Sequence, residues 1–311
     1  MKKLFLVLFL VLGIAAAGYA YPDRPITMVV PFNAGGSMDS MTRIVVEYMK
    51  QELGKPVIVE NRPGASGLIG VDAFLKTKPD GYTVLVFPSG SFAGPVFQGR
   101  EAIDLAKFKP IGAFIKSERI LFARPDAPYK TFEEMIEYAR KNPGKLKFGS
   151  GGSTDTAYVF KYILYKEKID INVTLFNGGA PAAAAIMGGH VDLVEGGNGS
   201  PADVAAMAGK LVPLCILSDG KLAKYPDLKT AEELGYEYAS TNMFGMFLQA
   251  DAPDEAAEVL AKTLQKVIDN PDLRAKFEAR GVVPEFFNGE ALLKSVKKGY
   301  KVSDLYKIVG Q

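Results

Sequence analysis

The sequence predicts an α/β protein with two lobes, each built on a mostly parallel sheet with helices on both faces. Apolar runs typical of strands alternate with helical patterns along most of the 311 residues, and strands that alternate with helices usually pair in parallel. A chain of this length reaches the size at which a single hydrophobic core stops growing, so two lobes are expected. Because no low-complexity linker separates two halves, we expect crossing strands to join the lobes.

The first twenty residues have the layout of a secretory signal peptide. Lys2 and Lys3 precede an apolar run over residues 4–12, and small residues follow as far as Ala20. The apolar run is shorter than the roughly 20 residues that span a bilayer. We therefore expect residues 1–20 to be a signal peptide that is cleaved after Ala20, and the mature protein to be periplasmic or otherwise extracytoplasmic. An uncleaved anchor is the alternative.

Without this leader the chain is electrically balanced. Removing Lys2 and Lys3 from the 37 basic residues leaves 35, which equals the 35 acidic residues. This balance argues against nucleic acid or an anionic membrane surface as the main partner. The single cysteine, Cys215, lies in an apolar stretch, where a buried thiol is expected instead of a disulfide or a nucleophile.

Nine apolar runs are predicted to form strands. They cover residues 26–30, 57–60, 83–87, 120–123, 146–148, 172–176, 191–194, 211–217 and 243–248. We expect the chain to cross between the lobes near residues 120–124 and 243–250. The first lobe would then contain residues 21–122 and 248–311, and the second lobe residues 123–247.

Helix boundaries are indicated by apolar spacing and by capping residues. An apolar stripe at helical spacing covers residues 38–53, and Gly54 follows as a stop signal. Residues 289–310 also have a helical pattern, which we expect to pack on the first lobe. Two residue pairs have the spacing of a capping box: Thr131 with Glu134, and Thr230 with Glu233.

Three glycine-rich bends each follow a predicted strand and precede a predicted helix. They read PFNAGGSMDSMTR at residues 31–43, GSGGSTD at residues 149–155 and NGGAP at residues 177–181. The first N–H groups of a helix lack intrahelical partners and carry the positive end of the helix dipole, so a carboxylate binds there without a lysine or arginine. Ligands of open α/β sheets bind at the carboxyl ends of strands. We expect the bends to hold a small anion between the lobes, although each one alone also fits an ordinary turn.

The candidate ligand-binding residues come from these bends and from two other strand ends. Ser89 and Ser91 follow one strand, and the segment EGGN, which begins with Glu195 and ends with Asn198, follows another. Each segment also fits an ordinary turn, because serine and glycine are common turn formers after a strand. The candidates in the bends are Phe32, Asn33, Ala34, Gly35, Gly36, Ser37, Asp39, Ser150, Gly151, Ser153, Thr154, Asn177, Gly178, Gly179 and Ala180.

Asp39 has two interpretations in the sequence. Facing the cleft, its carboxylate would accept a hydrogen bond from an ammonium or hydroxyl group of the ligand. Alternatively, it forms an ion pair with Arg43, four residues further along the predicted helix.

The chain resembles the extracytoplasmic solute receptors of tripartite tricarboxylate transporters, the Bug-type or TctC-type binding proteins. The resemblance implies a two-lobed Venus-flytrap receptor with the type II periplasmic-binding-protein topology. It also implies a carboxylate held by residues 32–39 and 177–180, partly through ordered water, and delivery to a two-component membrane permease. The matching segments, which follow one another in family order over essentially the whole mature chain, include YPDRPITMVVPFNAGGSMDSMTR, VIVENRPGASGLIG, KPDGYTVLVFPSG, TFEEMIEYARKNPGKLKFGSGGS and GGAPAAAAIMGGHVDL.

The third bend departs from the family pattern. Family members often have Pro-Tyr-Lys-Gly-Gly where this chain has LFNGG, so Asn177 replaces the usual lysine. Asparagine donates through its amide but supplies no charge. Asn33 likewise stands where a small apolar residue is common. These departures favour a monocarboxylate or dicarboxylate, including acids with hydroxyl, amino or aromatic groups, over a highly charged tricarboxylate.

The residues favour a binding receptor over an enzyme. An enzyme would need an activated nucleophile, an acid/base pair or a metal cluster, and the single histidine, His190, lies in a turn. The sequence contains no G-x-S-x-G elbow and no clustered metal-ligand motif. We expect no catalytic residues, no metal and no cofactor, and a monomer whose partners are a small carboxylate and permease subunits, not nucleic acid. The alternatives are a receptor for a membrane sensor protein and, less favoured, an extracellular enzyme on the same fold.

Overall fold

Two sheets organise the residues that the computed structural model describes, which are 21–96, 99–151, 155–239 and 242–309, without the side chains of residues 155, 306 and 307. Among these residues no helix is both long enough and apolar enough to cross a membrane. The strands are β1 (Ile26–Val30), β2 (Val57–Asn61), β3 (Thr83–Pro88), β4 (Phe108–Lys116), β5 (Arg119–Ala123), β6 (Lys147–Ser150), β7 (Asn172–Leu175), β8 (Leu193–Gly197), β9 (Val212–Ile216), β10 (Met243–Gln249) and β11 (Phe287–Asn288). The helices are α1 (Ser37–Leu53), α2 (Leu68–Leu75), α3 (Phe132–Lys141), α4 (Asp155–Glu167), α5 (Gly179–Met187), α6 (Pro201–Met207), α7 (Asp254–Ile268), α8 (Pro271–Glu278), α9 (Gly289–Val302) and α10 (Leu305–Val309).

Each sheet contains both parallel and antiparallel pairs. The first sheet has the order β11-β4-β10-β3-β1-β2 and the second the order β7-β6-β8-β5-β9. In the first sheet β1 is parallel to β2 and β3, while β10 is antiparallel to β3 and β4. In the second sheet β6 is parallel to β7 and β8, while β5 is antiparallel to β8 and β9. The prediction of two α/β lobes is confirmed, but the expectation of mostly parallel sheets is wrong, because five of the nine strand pairs among the described residues are antiparallel.

Four of the five antiparallel pairs among the described strands arise where the chain enters each sheet, and the fifth joins the short β11 to β4. Strands β1 to β4 share one direction in the first sheet, and β6 to β9 share one direction in the second. Strands β5 and β10 run the opposite way because each is the first strand after the chain changes sheet. The carboxyl ends of the other long strands therefore lie at the edges where the two sheets are joined, and ligands of such folds bind at that position.

The chain changes sheet just before β5 and just before β10. Strand β4 ends at Lys116 in the first sheet, and β5 begins at Arg119 in the second. The boundaries expected from the sequence, after residues 122 and 247, fall inside β5 and β10, because the apolar runs mark the strands and not the segments between them. We propose instead a first lobe of residues 21–116 and 243–302 and a second lobe of residues 119–239.

The C-terminal helices divide between the lobes. Helix α9 packs against β4 and against the turn Ser89–Ala93, as expected for a part of the first lobe. Val302 and Leu305, in contrast, are buried in the core of the second lobe with Leu121 and Phe148. The expectation that residues 289–310 pack only on the first lobe is therefore wrong at their carboxyl end, because helical spacing does not tell which of two apolar surfaces a face will cover.

Alternating side chains give each sheet two apolar faces. On β1, Met28 and Val29 belong to cores on opposite sides of the first sheet. On β5, Leu121 and Phe122 do the same in the second sheet. Each sheet is therefore covered on both faces, as the long apolar runs of the sequence indicate.

All nine predicted strands are present, but β4 and the short β11 were not predicted. Strand β4 contains Pro110 and Gly112, two residue types that are depleted in strands. Gly112 leaves space for the neighbouring strand, since a Cβ at this position would lie 2.7 Å from the carbonyl oxygen of Phe287. Strand β4 was therefore not recognised from the sequence, because its glycine is required by close packing against Phe287.

Two local predictions are confirmed at the level of single bonds. Thr131 and Glu134 form a complete capping box at the start of α3. Thr230 and Glu233 exchange the same pair of hydrogen bonds, although they open a turn and not a helix. Cys215 is buried, and burial raises the pKa of its thiol, as expected for a core residue.

Candidate functional site

The first and third glycine bends face each other across the two lobes. A Cβ on Gly178 would lie 3.6 Å from the backbone nitrogen of Asn33, and a Cβ on Gly36 would lie 3.9 Å from that of Ala180. Only short side chains or none fit between main chains at these distances. The two bends therefore form opposite walls of one narrow cleft.

Each of these bends ends in a helix that begins without a capping side chain. Gly36 is the N-cap residue of α1 and Gly178 that of α5, and neither position can supply a side-chain acceptor for the first-turn N–H groups. The N-terminus of a helix carries roughly half a positive charge. An anion between two such ends would interact favourably with both, although Asp39 in the first turn of α1 already supplies one negative charge there.

The second glycine bend supports the third from within the second lobe. A Cβ on Gly151 would lie 3.1 Å from both the carbonyl carbon of Gly178 and the nitrogen of Gly179. This contact leaves no room for a side chain at position 151. Of the candidates in this bend, Ser153 and Thr154 lie outside the described residues.

Asp39 organises the first bend through contacts with three neighbours. Its Oδ2 accepts a hydrogen bond from the N–H of Gly35 at 2.9 Å, and its Oδ1 accepts from Arg43 Nε and from Asn61 Nδ2, both at 2.9 Å. Asn61 Nδ2 also donates to the carbonyl oxygen of Phe32 at 3.1 Å. Both carboxylate oxygens are thus engaged within the bend, which favours the ion-pair interpretation of Asp39 over a ligand contact.

The pKa of Asp39 reflects the same contacts. Burial of the carboxyl group acts to raise its pKa, but hydrogen bonds from Arg43, Gly35 and Asn61 outweigh burial, and the pKa is lowered overall. Asp39 is therefore charged in the folded protein. Asn61, which the sequence analysis did not single out, is the polar residue that ends β2, and its position at a strand end is the signal that could have identified it.

A cavity of about 60 Å³ lies between the lobes. Such a volume holds only a few water molecules. The first lobe contributes Phe32, Ser37, Ser91 and Phe244 to its lining, the segment before β10 contributes Asn242, and the second lobe contributes Arg119, Gly151, Gly178, Gly179 and Glu195.

Arg119 and Glu195 form a buried ion pair in this lining. Arg119 Nη2 lies 2.9 Å from Glu195 Oε2 and donates a hydrogen bond to Glu195 Oε1 at 3.2 Å. The side chain of Glu195 is completely buried and that of Arg119 is 14% exposed. Glu195 was a candidate from the sequence, whereas Arg119 was missed, although a charged residue that opens an otherwise apolar strand is a signal that could have identified it.

The serines of the PSGS segment have different roles. Ser89 Oγ is 2.7 Å from Ser295 Oγ of α9 and accepts a hydrogen bond from the N–H of Met243 at 2.9 Å. Ser89 therefore joins the turn to α9 and β10 and is not part of the cavity lining. Ser91 lines the cavity, and its Oγ, like that of Ser37, is buried without a hydrogen-bond partner. Both hydroxyl groups are available to a ligand.

The remaining candidates lie beside the cavity and not in its lining. Ser150 is behind the ion pair and donates to Glu195 Oε1 at 2.9 Å. Asn198 lies in a separate groove with Lys116 and Lys224, and its N–H donates to the carbonyl oxygen of Glu118 at 2.8 Å. The candidates that belong to the bends but not to the lining are Asn33, Ala34, Gly35, Asn177 and Ala180, of which Ala34, Gly35 and Asn177 are exposed.

Comparison with known proteins identifies the family of the chain. Residues 41–302 match the model of a family described as tripartite tricarboxylate transporter family receptor. A Cupriavidus necator protein described as "UPF0065 protein in gbd 5'region" is 31% identical over 281 residues, which are 87% of this chain and 82% of that protein. These matches confirm the family resemblance stated from the motifs.

Solved structures show the same fold over nearly the whole chain. The periplasmic binding protein BugD is 29% identical and superposes with a TM-score of 0.83, covering 93% of this chain and 99% of BugD. An R. palustris protein solved with adipate is 22% identical, has a TM-score of 0.86 and covers 93% of this chain and 98% of its own. The chain described here belongs to the family of tripartite tricarboxylate transporter receptors.

Proposed function

We propose that this receptor captures a small organic monocarboxylate or dicarboxylate between its lobes, outside the cytoplasm, and delivers it to the membrane subunits of a tripartite tricarboxylate transporter. The observation that carries the proposal is the opposition of two uncapped helix N-termini, those of α1 and α5, across the cleft. A carboxylate at this position would accept hydrogen bonds from both lobes and would hold them together. Binding would then favour the closed form that the membrane subunits recognise.

The energies of such contacts are sufficient without a dedicated cation. A charge-assisted hydrogen bond contributes about 1.5–3 kcal/mol net, and micromolar affinity requires about 8 kcal/mol. Three to five bonds from backbone N–H groups and from Ser37 and Ser91 would supply this sum, less the cost of immobilising the ligand.

The charges around the cavity support an acid of low charge. Of the described lining residues, the charged ones are Asp39, Arg119 and Glu195. Asp39 pairs with Arg43 and Glu195 pairs with Arg119, so the site carries no unbalanced positive side chain. A tricarboxylate would bring a third negative charge that no unpaired positive side chain of the described lining balances. One or two carboxylates, in contrast, can each interact with a helix N-terminus.

The location and the partners complete the proposal. We propose that residues 1–20 are a signal peptide removed after Ala20, so that the mature chain begins at Tyr21 and acts as a monomer. N-terminal sequencing of the exported protein, together with its mass in solution, tests both points. Co-purification with the two membrane subunits in the presence of ligand tests the transport partner, and capture of a sensor protein instead would contradict it.

Binding is tested by calorimetry with malate, adipate and citrate. Malate and adipate are chosen as probes because proteins of the same fold have been solved with them. We expect at least one of the two dicarboxylates to bind with a Kd in the micromolar range and citrate to bind more weakly. Failure of all three to bind, or tightest binding of citrate, would contradict the proposal.

A pair of variants localises the binding. Gly179 has no atom within 4 Å of its Cβ position and needs no positive φ, so Gly179→Val should fold while its side chain obstructs the N-terminus of α5. Ala184→Val adds apolar volume to an exposed position on the same helix and serves as the control. We expect Gly179→Val to lose at least tenfold in affinity and Ala184→Val to bind as the parent does.

A further inference from the structure

The Arg119–Glu195 pair contains polar atoms without a hydrogen-bond partner among the residues that the structure describes. Glu195 Oε1 accepts hydrogen bonds from Arg119 Nη2, Ser150 Oγ and the N–H of Gly151. Glu195 Oε2 and Arg119 Nε, in contrast, are buried and have no hydrogen-bond partner in the described part of the chain, although Oε2 lies 2.9 Å from Nη2 in the ion pair. One acceptor and one donor therefore remain unsatisfied on two residues that line the same cavity.

Unsatisfied buried polar atoms are rare in folded proteins and call for an explanation. The two residues are adjacent in the second sheet, because β5, which begins with Arg119, pairs with β8, which contains Glu195. Ser150 and Gly151 fix the carboxylate from the side of the second glycine bend. The pair is thus held next to the cleft. The donor Arg119 Nε and the acceptor Glu195 Oε2 have no hydrogen-bond partner among the described residues.

A ligand group satisfies both atoms only if it both donates and accepts hydrogen bonds. A carboxylate accepts a hydrogen bond from Arg119 Nε but brings a negative charge next to Glu195. An ammonium group donates to Glu195 Oε2 but brings a positive charge next to Arg119 and leaves Nε unsatisfied. A hydroxyl or carboxamide group both donates and accepts, and adds no charge to an ion pair that is already balanced.

We propose that Arg119 and Glu195 determine specificity by selecting organic acids that carry a hydroxyl or carboxamide group at the end remote from the carboxylate held by the helix N-termini. This inference rests on the proposed function, because it assumes that a carboxylate occupies the opposed helix ends. It adds a neutral polar group to the ligand and assigns that group to two named residues.

The test compares four probes that differ at one end. Succinate, 4-hydroxybutyrate, 4-aminobutyrate and succinamate are titrated into the full chain by calorimetry. These four-carbon acids share one carboxylate and carry at the other end a carboxylate, a hydroxyl, an ammonium or a carboxamide group. We expect 4-hydroxybutyrate or succinamate to bind at least tenfold more tightly than succinate and 4-aminobutyrate, and the better of the two identifies the neutral group.

Two variants should reverse this selectivity in opposite directions. Glu195→Gln keeps the size of the side chain but leaves the Arg119 charge unbalanced, so succinate should gain on 4-hydroxybutyrate by at least tenfold. Arg119→Gln leaves the Glu195 carboxylate unbalanced, so 4-aminobutyrate should gain instead. Glu137→Gln makes the same chemical change as the first variant at an exposed site on α3 and should leave the order of the four probes unchanged.

The outcomes separate this inference from the proposed function. If the probes bind but succinate or 4-aminobutyrate is preferred by the parent protein, or if both cavity variants keep the parental order, the selectivity assignment is overturned and carboxylate binding stands. Equal affinities of 4-hydroxybutyrate, succinamate and succinate also overturn it, because a water molecule would then satisfy the pair. If none of the probes binds, the proposed function fails together with the inference. The ratio of two affinities within one variant is insensitive to partial unfolding, and the two variants provide independent readings if one of them folds poorly.

Discussion

The backbone N–H of Ser117 donates a hydrogen bond to the carbonyl oxygen of Asn242 at 2.6 Å. Ser117 belongs to the segment through which the chain leaves the first lobe, and Asn242 directly precedes β10, through which it returns. The two crossing segments are therefore tied to each other at the hinge. Asn242 also lines the ligand cavity, so the hinge and the cleft share a residue.

The side chain of Asn242 should matter for stability. Its Oδ1 accepts a hydrogen bond from the N–H of Gly90 at 3.2 Å, in a buried environment. In Asn242→Ala this N–H group loses its acceptor, and we expect the free energy of unfolding to fall by about 1–3 kcal/mol. Urea denaturation measures the change. Asn142→Ala, at the end of α3, removes a partly buried bond to the carbonyl oxygen of Tyr138 and should cost less; equal losses in the two variants would contradict the role given to Asn242.

Asp39 is expected to stabilise the first bend without touching the ligand. Asp39→Asn removes the ion pair with Arg43 and weakens the bond to Gly35, and should lower the free energy of unfolding by about 1–3 kcal/mol at pH 7. Because the bend forms one wall of the cleft, affinities for malate, succinate and aspartate should fall by similar factors. Loss of affinity for aspartate alone would indicate instead that Asp39 contacts the ligand.

The pH dependence of this effect has a definite sign. The pKa of Asp39 is lower in the folded protein than in the unfolded chain, whose value is about 3.9. The carboxylate therefore contributes its full stabilisation above the unfolded pKa and loses it as the pH falls through the folded pKa. We expect the stability difference between the parent and Asp39→Asn to be largest near neutral pH and to shrink below about pH 4. A difference that stays constant between pH 7 and pH 3 in urea titrations would contradict this account.

Gly151 should tolerate no side chain. In Gly151→Ala the new Cβ would lie 3.1 Å from backbone atoms of Gly178 and Gly179, and a backbone cannot rotate away as a long side chain can. We expect a loss of about 1–3 kcal/mol in stability from overpacking and weaker ligand binding, because the third bend must shift. Gly179→Ala, at a position with open space, is the control and should keep the stability of the parent. A stable Gly151→Ala variant with unchanged affinity would show that the second bend does not support the third.

The sequence predicted most of the fold because its signals are local. Apolar runs bounded by glycine and proline marked nine strands, and the Thr131–Glu134 spacing marked the start of α3. Strand β4 was not predicted because it contains Pro110 and Gly112. The need for Gly112 is visible only in the structure, where Phe287 lies against it. What local pattern could not supply was the order of strands in the sheets and the antiparallel entry of β5 and β10.

The candidate site was predicted in its backbone and less well in its side chains. Glycine-rich bends are visible in one sequence, and Gly36 and Gly178 do face each other across the cleft. Ser89 and Ser91 are two residues apart, and only the structure separates the one bound to Ser295 from the one in the cavity. Arg119 was missed because its role depends on the ion pair with Glu195. Glu195 lies on a strand distant in the sequence, and no spacing between the two residues indicates the contact.

Leu305 tests the unexpected position of the C-terminal segment. Its side chain is completely buried in the core of the second lobe, whereas Ile308, three residues further along the same helix, is 38% exposed. Leu305→Ala should therefore cost about 2–5 kcal/mol through lost burial and the cavity left behind, and Ile308→Ala should cost far less. Hydrogen exchange locates the effect, since loss of protection should concentrate in α4, against which α10 packs. If the protection of α4 is unchanged while the first lobe exchanges faster, the C-terminal segment belongs to the first lobe alone, as the sequence pattern had indicated.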